Sequence, residues 1–178
     1  MKKLTYILLL VASLAYSQDK LLTKNGQITF EATVSSFEEV KANLNNAACV
    51  LNTKTGDMAV VLFIKSFKFK NGLMQEHFNE NYLESDKYPK SVFIGKIENF
   101  NYDSVSNSPA KYTISGTIEI HGKKKNISAP ITIYKKDKQL ILDSSFQLKP
   151  DDFGIEIPSI VGYKIAKIVT VTFDFKLN

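Results

Sequence analysis

Apolar and polar residues alternate along most of this chain, which is the pattern of β-strands that bury one face. The clearest case runs from Tyr112 to Ile120, where every second residue is apolar or glycine and the residues between are threonine, serine or glutamate. The pattern predicts about seven to nine antiparallel strands joined by turns. The other runs cover residues 28–34, 91–97, 127–133, 140–148 and 165–177.

One segment, residues 74–89, breaks the alternation. Met74, Phe78 and Tyr82 recur at helical spacing, and the segment ends in a Tyr-Pro pair that leads into the next strand. It predicts one short helix that forms a lid or plug. Residues 36–46 leave two interpretations open, a helical stripe or an irregular strand.

Meandering antiparallel strands in a chain of this length favour an up-and-down barrel, because closure removes the exposed sheet edges. The predicted fold class is all-β: an eight-stranded antiparallel barrel with one short helix after the longest strand. A barrel of about eight strands is either filled by its own side chains or holds one small ligand. Small inward residues favour a cavity, although a filled core could place them opposite bulky neighbours; they are Ala32, Ala59, Gly116, Ala129 and Ser144.

Residues 57–70 form the longest strand candidate. Its odd-numbered positions carry Phe63, Phe67 and Phe69, so we expect this face to point into the barrel. Lys65 would share that face, and a buried lysine is costly unless it is paired. Either a bulge rotates Lys65 outward, which is the preferred interpretation, or its side chain reaches the barrel mouth and meets a carboxylate or an anionic head group.

The first residues have the pattern of a signal peptide. A positive start precedes an apolar run over residues 4–14, and a small-x-small cleavage site ends at Ser17. The apolar run is shorter than the roughly 20 residues that span a bilayer. We therefore expect cleavage near Ser17/Gln18, with residues 1–17 as the signal peptide and residues 18–178 as one domain. The mature protein is expected to be periplasmic or secreted.

The basic residues of the chain are unusual in composition: all 23 of them are lysines. Without the two lysines of the leader, 21 lysines stand against 18 acidic residues, a net charge of +3. This charge is small and dispersed, and no arginine is present for bidentate contacts to phosphate or guanine. Nucleic acid is therefore not an expected partner.

Residues that carry chemistry are few. Cys49 is the single cysteine, so no intramolecular disulfide forms and a buried, inert thiol is expected. The two histidines, His77 and His121, are too few for a zinc site, and no nucleophile-elbow sequence is present. We interpret His77 as a helix residue at the barrel mouth and His121 as a turn residue. The expectation is a protein without metal, cofactor or enzymatic activity.

Several landmarks occur in a characteristic order. The helix sequence at residues 72–78 leads to Asp-Lys-Tyr-Pro at residues 86–89, a His-Gly pair follows at residues 121–122, and Asp-Phe-Gly-Ile stands at residues 152–155. In these landmarks the chain resembles the YceI-like family, lipocalin-like exported proteins that bind polyisoprenoids. The resemblance covers roughly residues 27–177. It implies an elongated eight-stranded barrel with a helix, an internal apolar channel and no known catalytic apparatus.

The first functional hypothesis is an exported carrier that holds an apolar, isoprenoid-like or quinone-like chain inside the barrel and contacts membranes only transiently. The alternative is a structural or interaction module, as a homodimer in a stress-related role, whose barrel is filled and binds no ligand. Under the first hypothesis the candidate ligand-binding residues are Phe63, Phe67, Phe69, Met74, His77, Phe78, Phe93, Ile118, Ile120, Val171 and Phe173.

Overall fold

The computed structural model describes residues 19–35 and 37–178, so the predicted signal peptide lies outside the described residues. A six-residue helix, α1 (Gly72–His77), continues directly into a π-helical segment at Phe78–Tyr82. Short 3₁₀ turns lie at Ile64–Ser66, Tyr102–Ser104 and Pro150–Phe153. The strands are β1 (Lys20–Thr33), β2 (Lys41–Asn52), β3 (Asp57–Phe63), β4 (Lys68–Phe69), β5 (Lys90–Ile97), β6 (Ala110–Ile120), β7 (Lys123–Lys136), β8 (Gln139–Leu148) and β9 (Ile165–Leu177).

The strands form one closed antiparallel sheet. Their order is β1-β9-β8-β7-β6-β5-β3-β2-β4, and an additional pairing of β1 with β2 closes the barrel. Both β3 and β4 pair with β2, because they are two parts of one long strand that a 3₁₀ turn interrupts. Counted as one strand, they give the eight-stranded barrel with a short helix that the sequence predicts, and this prediction is confirmed.

The 3₁₀ turn at Ile64–Ser66 changes which face of the long strand points inward. Before it, the even-numbered Met58 is buried and Phe63 is 58% exposed, whereas after it Phe67 is only 6% exposed. Side chains in a strand alternate with a period of two, so a turn of an odd number of residues moves the following positions to the opposite face. The prediction that Phe63 points into the barrel is therefore wrong, while Phe67 and Phe69 point inward as expected.

The same turn accounts for Lys65. Its side chain points out of the barrel and forms an ion pair with Asp86. Outward rotation, the preferred interpretation, is confirmed, although the local structure is a 3₁₀ turn rather than a bulge within a continuous strand. The carboxylate partner, however, is one that the alternative interpretation expected. Both side chains are exposed, so the pair contributes little to stability.

The helix begins at a well-formed cap. The Asn71 side chain accepts hydrogen bonds from the backbone N–H groups of Leu73 and Met74, which would otherwise lack partners. A helix this short is not stable alone and depends on its packing against the barrel. Among the described residues of the ambiguous stretch 36–46, those from Lys41 onward belong to β2, so the strand interpretation holds there.

The two ends of the barrel interior differ. At the end away from α1, large buried side chains fill the interior, and Leu51, Ile133 and Leu142 are each completely inaccessible to solvent. Cys49 lies in this cluster, so the predicted burial of its thiol is confirmed, and burial raises the pKa of the thiol to about 12, which disfavours the reactive thiolate. The cluster also includes Leu44, Met58, Ile97, Ile114, Ile131, Leu140, Phe175 and Leu177.

The described residues contain no helix that is both long enough and apolar enough to cross a membrane.

Candidate functional site: an apolar cavity under the helix

The end of the barrel nearest α1 contains a cavity of about 480 Å³. This volume lies in the range of small-molecule binding sites, about 300–1,000 Å³. The interior is therefore filled in one half and open in the other, because each inward strand face carries core residues at one end and cavity residues at the other. The lining residues are Ile28, Phe30, Ala32, Phe37, Glu38, Val40, Ile64, Phe67, Phe69, Asn71, Leu73, Met74, His77, Phe78, Tyr82, Leu83, Ser91, Ile118, Ile120, Phe146, Leu148, Pro150, Phe153, Ile155, Ile157, Val161, Lys164, Ile165, Val169 and Val171.

Four phenylalanines join the helix to the barrel wall. Phe78, at the end of α1, stacks on Phe30 of β1, with ring centroids 5.1 Å apart and planes 20° apart. Phe67 and Phe69 each contact both of these rings, at centroid distances of 5.1–5.8 Å. Aromatic pairs at these distances add about 0.5–1.5 kcal/mol beyond the burial of their surface. The group fixes the position of the helix over the cavity and supplies one of its walls.

A second buried cluster forms another part of the cavity wall. It contains Ile64, Leu83, Ile118, Phe153 and Ile155, from the 3₁₀ turn, the end of the helical segment, β6 and the loop after β8. Because these residues come from four separate parts of the chain, their packing ties the loop after β8 to the helical segment.

Polar contacts reinforce that wall. Nε2 of His121 lies 2.6 Å from a carboxylate oxygen of Glu84, and Nδ1 of the same ring lies 3.3 Å from the carbonyl oxygen of Phe153. The ring also packs against Tyr88, with centroids 4.5 Å apart. His121 and Glu84 both have positive φ angles, 52° and 43°, which cost about 1–3 kcal/mol each for residues other than glycine. This strained pair links the β6–β7 turn, the end of the helical segment and the loop after β8.

The cavity opens where its lining residues are exposed. Phe37, Leu73 and Lys164 line the cavity and are exposed, and they mark the mouth. Polar groups are concentrated there: the Asn71 side-chain amide donates a hydrogen bond to Glu38 at 3.2 Å. Deeper in, the polar lining residue Ser91 has its hydroxyl bonded to the carbonyl oxygen of Glu119. The interior offers almost no free polar group, so the cavity suits an apolar ligand with any polar end at the mouth.

The structure brings most of the sequence-predicted site residues together. Three of them lie elsewhere: Phe63 is exposed on the outside, Phe173 stacks on Phe175 in the filled half, and Phe93 packs between the two buried clusters. The inward orientation expected for Phe173 is correct, but this side chain lies in the filled half and does not line the cavity. Contact of any of these residues with a ligand stays a prediction. The cavity lining contains Phe67, Phe69, Met74, His77, Phe78, Ile118, Ile120 and Val171.

Sequence reasoning missed two sets of lining residues. Phe30 of β1 and Phe146 of β8 belong to inward faces that alternation identifies, but nothing in the pattern shows which end of a strand reaches a cavity. The loop after β8 contributes Phe153, Ile157 and Val161, and this loop has no periodicity from which an inward face could be deduced.

The described residues contain no group of three or more histidine, cysteine or acidic side chains placed to hold a metal ion. Both ring nitrogens of His121 lie within hydrogen-bond distance of other protein groups, and His77 lies at the mouth. The chemistry that the site supports is the burial of apolar surface.

Comparison with known proteins agrees with this geometry. The model of the YceI-like domain matches residues 19–177. No protein in the comparison with curated sequences is similar enough to count as a match. A solved structure of a polyisoprenoid binding domain from Saccharophagus degradans, implicated in plant cell wall breakdown, is 12% identical with a TM-score of 0.78, and the match covers 91% of this chain and 99% of that chain.

Two further solved structures have similar folds. BcnA of Burkholderia cenocepacia is 14% identical with a TM-score of 0.71, and the match covers 86% of this chain and 96% of that chain. A YCEI protein of Campylobacter jejuni is 19% identical with a TM-score of 0.59, and the match covers 79% of this chain and 86% of that chain. At these identities the likeness concerns the fold.

Proposed function

Because the chain belongs to the YceI-like family, we propose that it is an exported carrier that holds one apolar, isoprenoid-like chain in the cavity under the helix. The observation that carries the proposal is the cavity itself, about 480 Å³ with a lining that is almost entirely aliphatic and aromatic. The similarity to a domain described as polyisoprenoid binding supports this choice of ligand class.

The driving force of binding is the transfer of apolar surface from water to the cavity. Each methylene group that becomes buried contributes about 0.8 kcal/mol. The aromatic wall is already held in place by its own ring contacts, so little side-chain ordering opposes binding. A quinone or prenyl alcohol would place its polar end at the mouth, near Asn71 and Glu38.

Export is part of the proposal. The signal-peptide pattern of residues 1–17 supports a periplasmic or secreted location. In such a compartment a carrier would shield a water-insoluble chain while it moves, with membrane contact only during loading and release. No enzymatic step is needed for this role.

The test is to detect the ligand and its binding site together. Native mass spectrometry and solvent extraction of the purified protein should reveal a co-purifying lipid, and geranylgeraniol should raise the melting temperature of protein stripped of lipid. Val171→Trp should abolish this shift because the indole would occupy the cavity that Val171 lines. Thr172→Trp is the matched control, because Thr172 is exposed and adjacent in β9.

The alternative function is a structural or interaction module without a ligand. One observation favours it: the half of the barrel away from the helix is filled by its own side chains. Protein that co-purifies with no lipid, shows no thermal shift with prenyl compounds and elutes as a stable dimer would support this module and reject the carrier.

A further inference from the structure

The loop that leads into β9, together with the first residues of that strand, exposes an unusual amount of apolar surface. Residues 158–168 include Ile160, Tyr163 and Ile168, whose side chains are 79%, 58% and 44% exposed. They are three of the eight large exposed hydrophobic residues in the described part of the chain, so this surface is concentrated in eleven residues. Concentrated exposed apolar surface on a small protein indicates a contact with another apolar phase.

This apolar surface continues across the mouth of the cavity. The ring of Phe37 contacts the ring of Tyr163, with centroids 5.4 Å apart. Phe37 and Leu73 are themselves 41% and 59% exposed, and both line the cavity. An apolar path therefore runs from the exposed rim, formed by Phe37, Leu73, Ile160 and Tyr163, into the binding cavity.

The charges around the rim are asymmetric. Residues 158–168 contain Lys164 and Lys167 and no acidic residue. The carboxylates on the other side of the mouth have partners of their own: Glu38 accepts a hydrogen bond from Asn71, and Glu39 pairs with Lys70 at 2.7 Å. Exposed apolar side chains beside lysines suit the interface of a bilayer with anionic head groups, to which lysines near the surface are attracted.

We propose that the rim docks onto a phospholipid bilayer that carries anionic head groups. Ile160 and Leu73 enter the boundary between head groups and acyl chains, and Tyr163 lies at the level of the head groups, where amphipathic rings are favoured. The cavity mouth then opens directly toward the acyl chains, so a water-insoluble cargo passes from bilayer to barrel without crossing water. The inference rests on the proposed function only for the cargo, since docking requires no ligand.

The first experiment measures docking with lipid-stripped protein. Co-sedimentation is compared between vesicles of phosphatidylcholine alone and vesicles of phosphatidylcholine with phosphatidylglycerol. The double variant Ile160→Ser, Tyr163→Ser should bind the anionic vesicles about tenfold more weakly, since each 1.4 kcal/mol of lost burial corresponds to a factor of ten. Lys167→Gln should weaken binding to the anionic vesicles and leave binding to the neutral vesicles unchanged.

The matched control is the double variant Leu22→Ser, Ile94→Ser. These residues are 46% and 65% exposed on the outer wall of the barrel, in β1 and β5, and line no part of the cavity. The control should bind vesicles as the unmodified protein does. An equal loss of binding in the control, or no binding of the unmodified protein to either vesicle, would overturn the proposal. A molecular mass that rises with protein concentration for the unmodified protein, but not for the rim variant (Ile160→Ser, Tyr163→Ser), would also overturn the proposal. It would show that the rim mediates self-association.

A second measurement separates docking from cargo binding. Neither Ile160 nor Tyr163 lines the cavity, so the rim variant should take up farnesol from aqueous solution with unchanged affinity while it extracts geranylgeraniol from vesicles more slowly. Unmodified protein that binds vesicles but takes up neither prenyl alcohol would reject the proposed cargo and leave docking intact. An extraction rate that the rim variant does not change would overturn docking as the loading step.

Discussion

The ring of Phe78 stacks on the ring of Phe30 with centroids 5.1 Å apart, and this contact joins the helical segment to β1. Phe78 also contacts both buried clusters and the rings of Phe67 and Phe69. One side chain therefore connects the helix, the cavity wall and the core.

Phe78→Ala should lower both stability and ligand affinity. Removal of a partly buried phenylalanine should reduce the free energy of unfolding by about 2 kcal/mol, below the 3–5 kcal/mol typical of fully buried aromatic residues. The widened cavity should also weaken the thermal shift caused by geranylgeraniol. Phe63→Ala is the control, because Phe63 is 58% exposed and outside the cavity, and its effect should stay within about 0.5 kcal/mol. Equal effects of the two substitutions in urea unfolding would contradict this account.

His121→Ala should loosen the loop after β8. The substitution removes the contacts of the ring with Glu84 and the Phe153 carbonyl, and a loss of about 2 kcal/mol is expected for hydrogen bonds to charged or buried groups. Hydrogen exchange should become faster for the amides of residues 150–157, while the amides of the filled half keep their protection.

The other histidine provides the matched control for this substitution. His77 lies exposed at the mouth, so His77→Ala should leave hydrogen exchange in the loop unchanged. Unchanged exchange in the His121 variant, or equally fast exchange in both variants, would show that the pair with Glu84 does not hold the loop.

Asp174→Asn should stabilise the protein at neutral pH. Asp143 and Asp174 lie directly opposite each other on β8 and β9, and the pKa of the Asp143 carboxyl is raised by burial and then by the charge of Asp174. Like charges in such a pair destabilise a sheet, so their relief should contribute about 0.2–1 kcal/mol.

The raised pKa of the Asp143 carboxyl determines whether stability rises or falls with pH. The folded chain holds the Asp143 proton more tightly than the unfolded chain, so stability from this group is greatest in acid and falls as pH rises from the unfolded pKa, about 3.9, through the folded value. The gain in stability from Asp174→Asn should therefore be present at pH 7. It should vanish when the pH falls below the unfolded pKa, because the Asp143 carboxyl is then protonated in both states. Melting temperatures across pH test this, with Glu156→Gln on an exposed loop as the control. A gain that is independent of pH would exclude charge repulsion as its cause.

Gly116→Ala should destabilise the barrel. Gly116 lies directly opposite Gly95 on β5, and a methyl group at Gly116 would collide with the Gly95 backbone and the Ile94 carbonyl oxygen, as well as with the ring of Phe93. Backbone atoms on a paired strand cannot move aside easily, so a loss of about 1–3 kcal/mol is expected.

Gly72→Ala is the control for this substitution, because no atom lies within 4 Å of the added carbon there apart from those of its chain neighbours and of the helix backbone. It should be neutral or slightly stabilising, since alanine favours a helix more than glycine does. Equal melting temperatures for the Gly116 variant and the unmodified protein would refute the steric argument.

Alternation predicted most of the barrel because each strand from β6 to β9 faces water on one side and the interior on the other. It identified Ile114 and Ile131 as inward, and both are buried. It failed at Phe63, because the 3₁₀ turn shifts the side-chain phase: Lys65 indicated an irregularity in the strand, but not which of the phenylalanines on either side of it would face outward. The loop after β8 escaped prediction because its inward residues are placed by tertiary contacts, such as that of Phe153 with His121, and follow no local period.

The interruption between β3 and β4 also has a mechanical consequence. β2 pairs with β3 as far as Ala48 and Val61, and pairs with β4 only from Asn43 and Lys68. Between these positions the backbone ladder is interrupted, and the Asn46 side chain donates to Ser66 at 3.1 Å across the interval. Because fewer strand-to-strand bonds oppose movement here, β4 and the attached helix can shift while the filled half stays intact. The position of β4 and the helix therefore depends on the ring contacts of Phe78 more than on the strand ladder, and we expect local opening to begin at this seam before global unfolding.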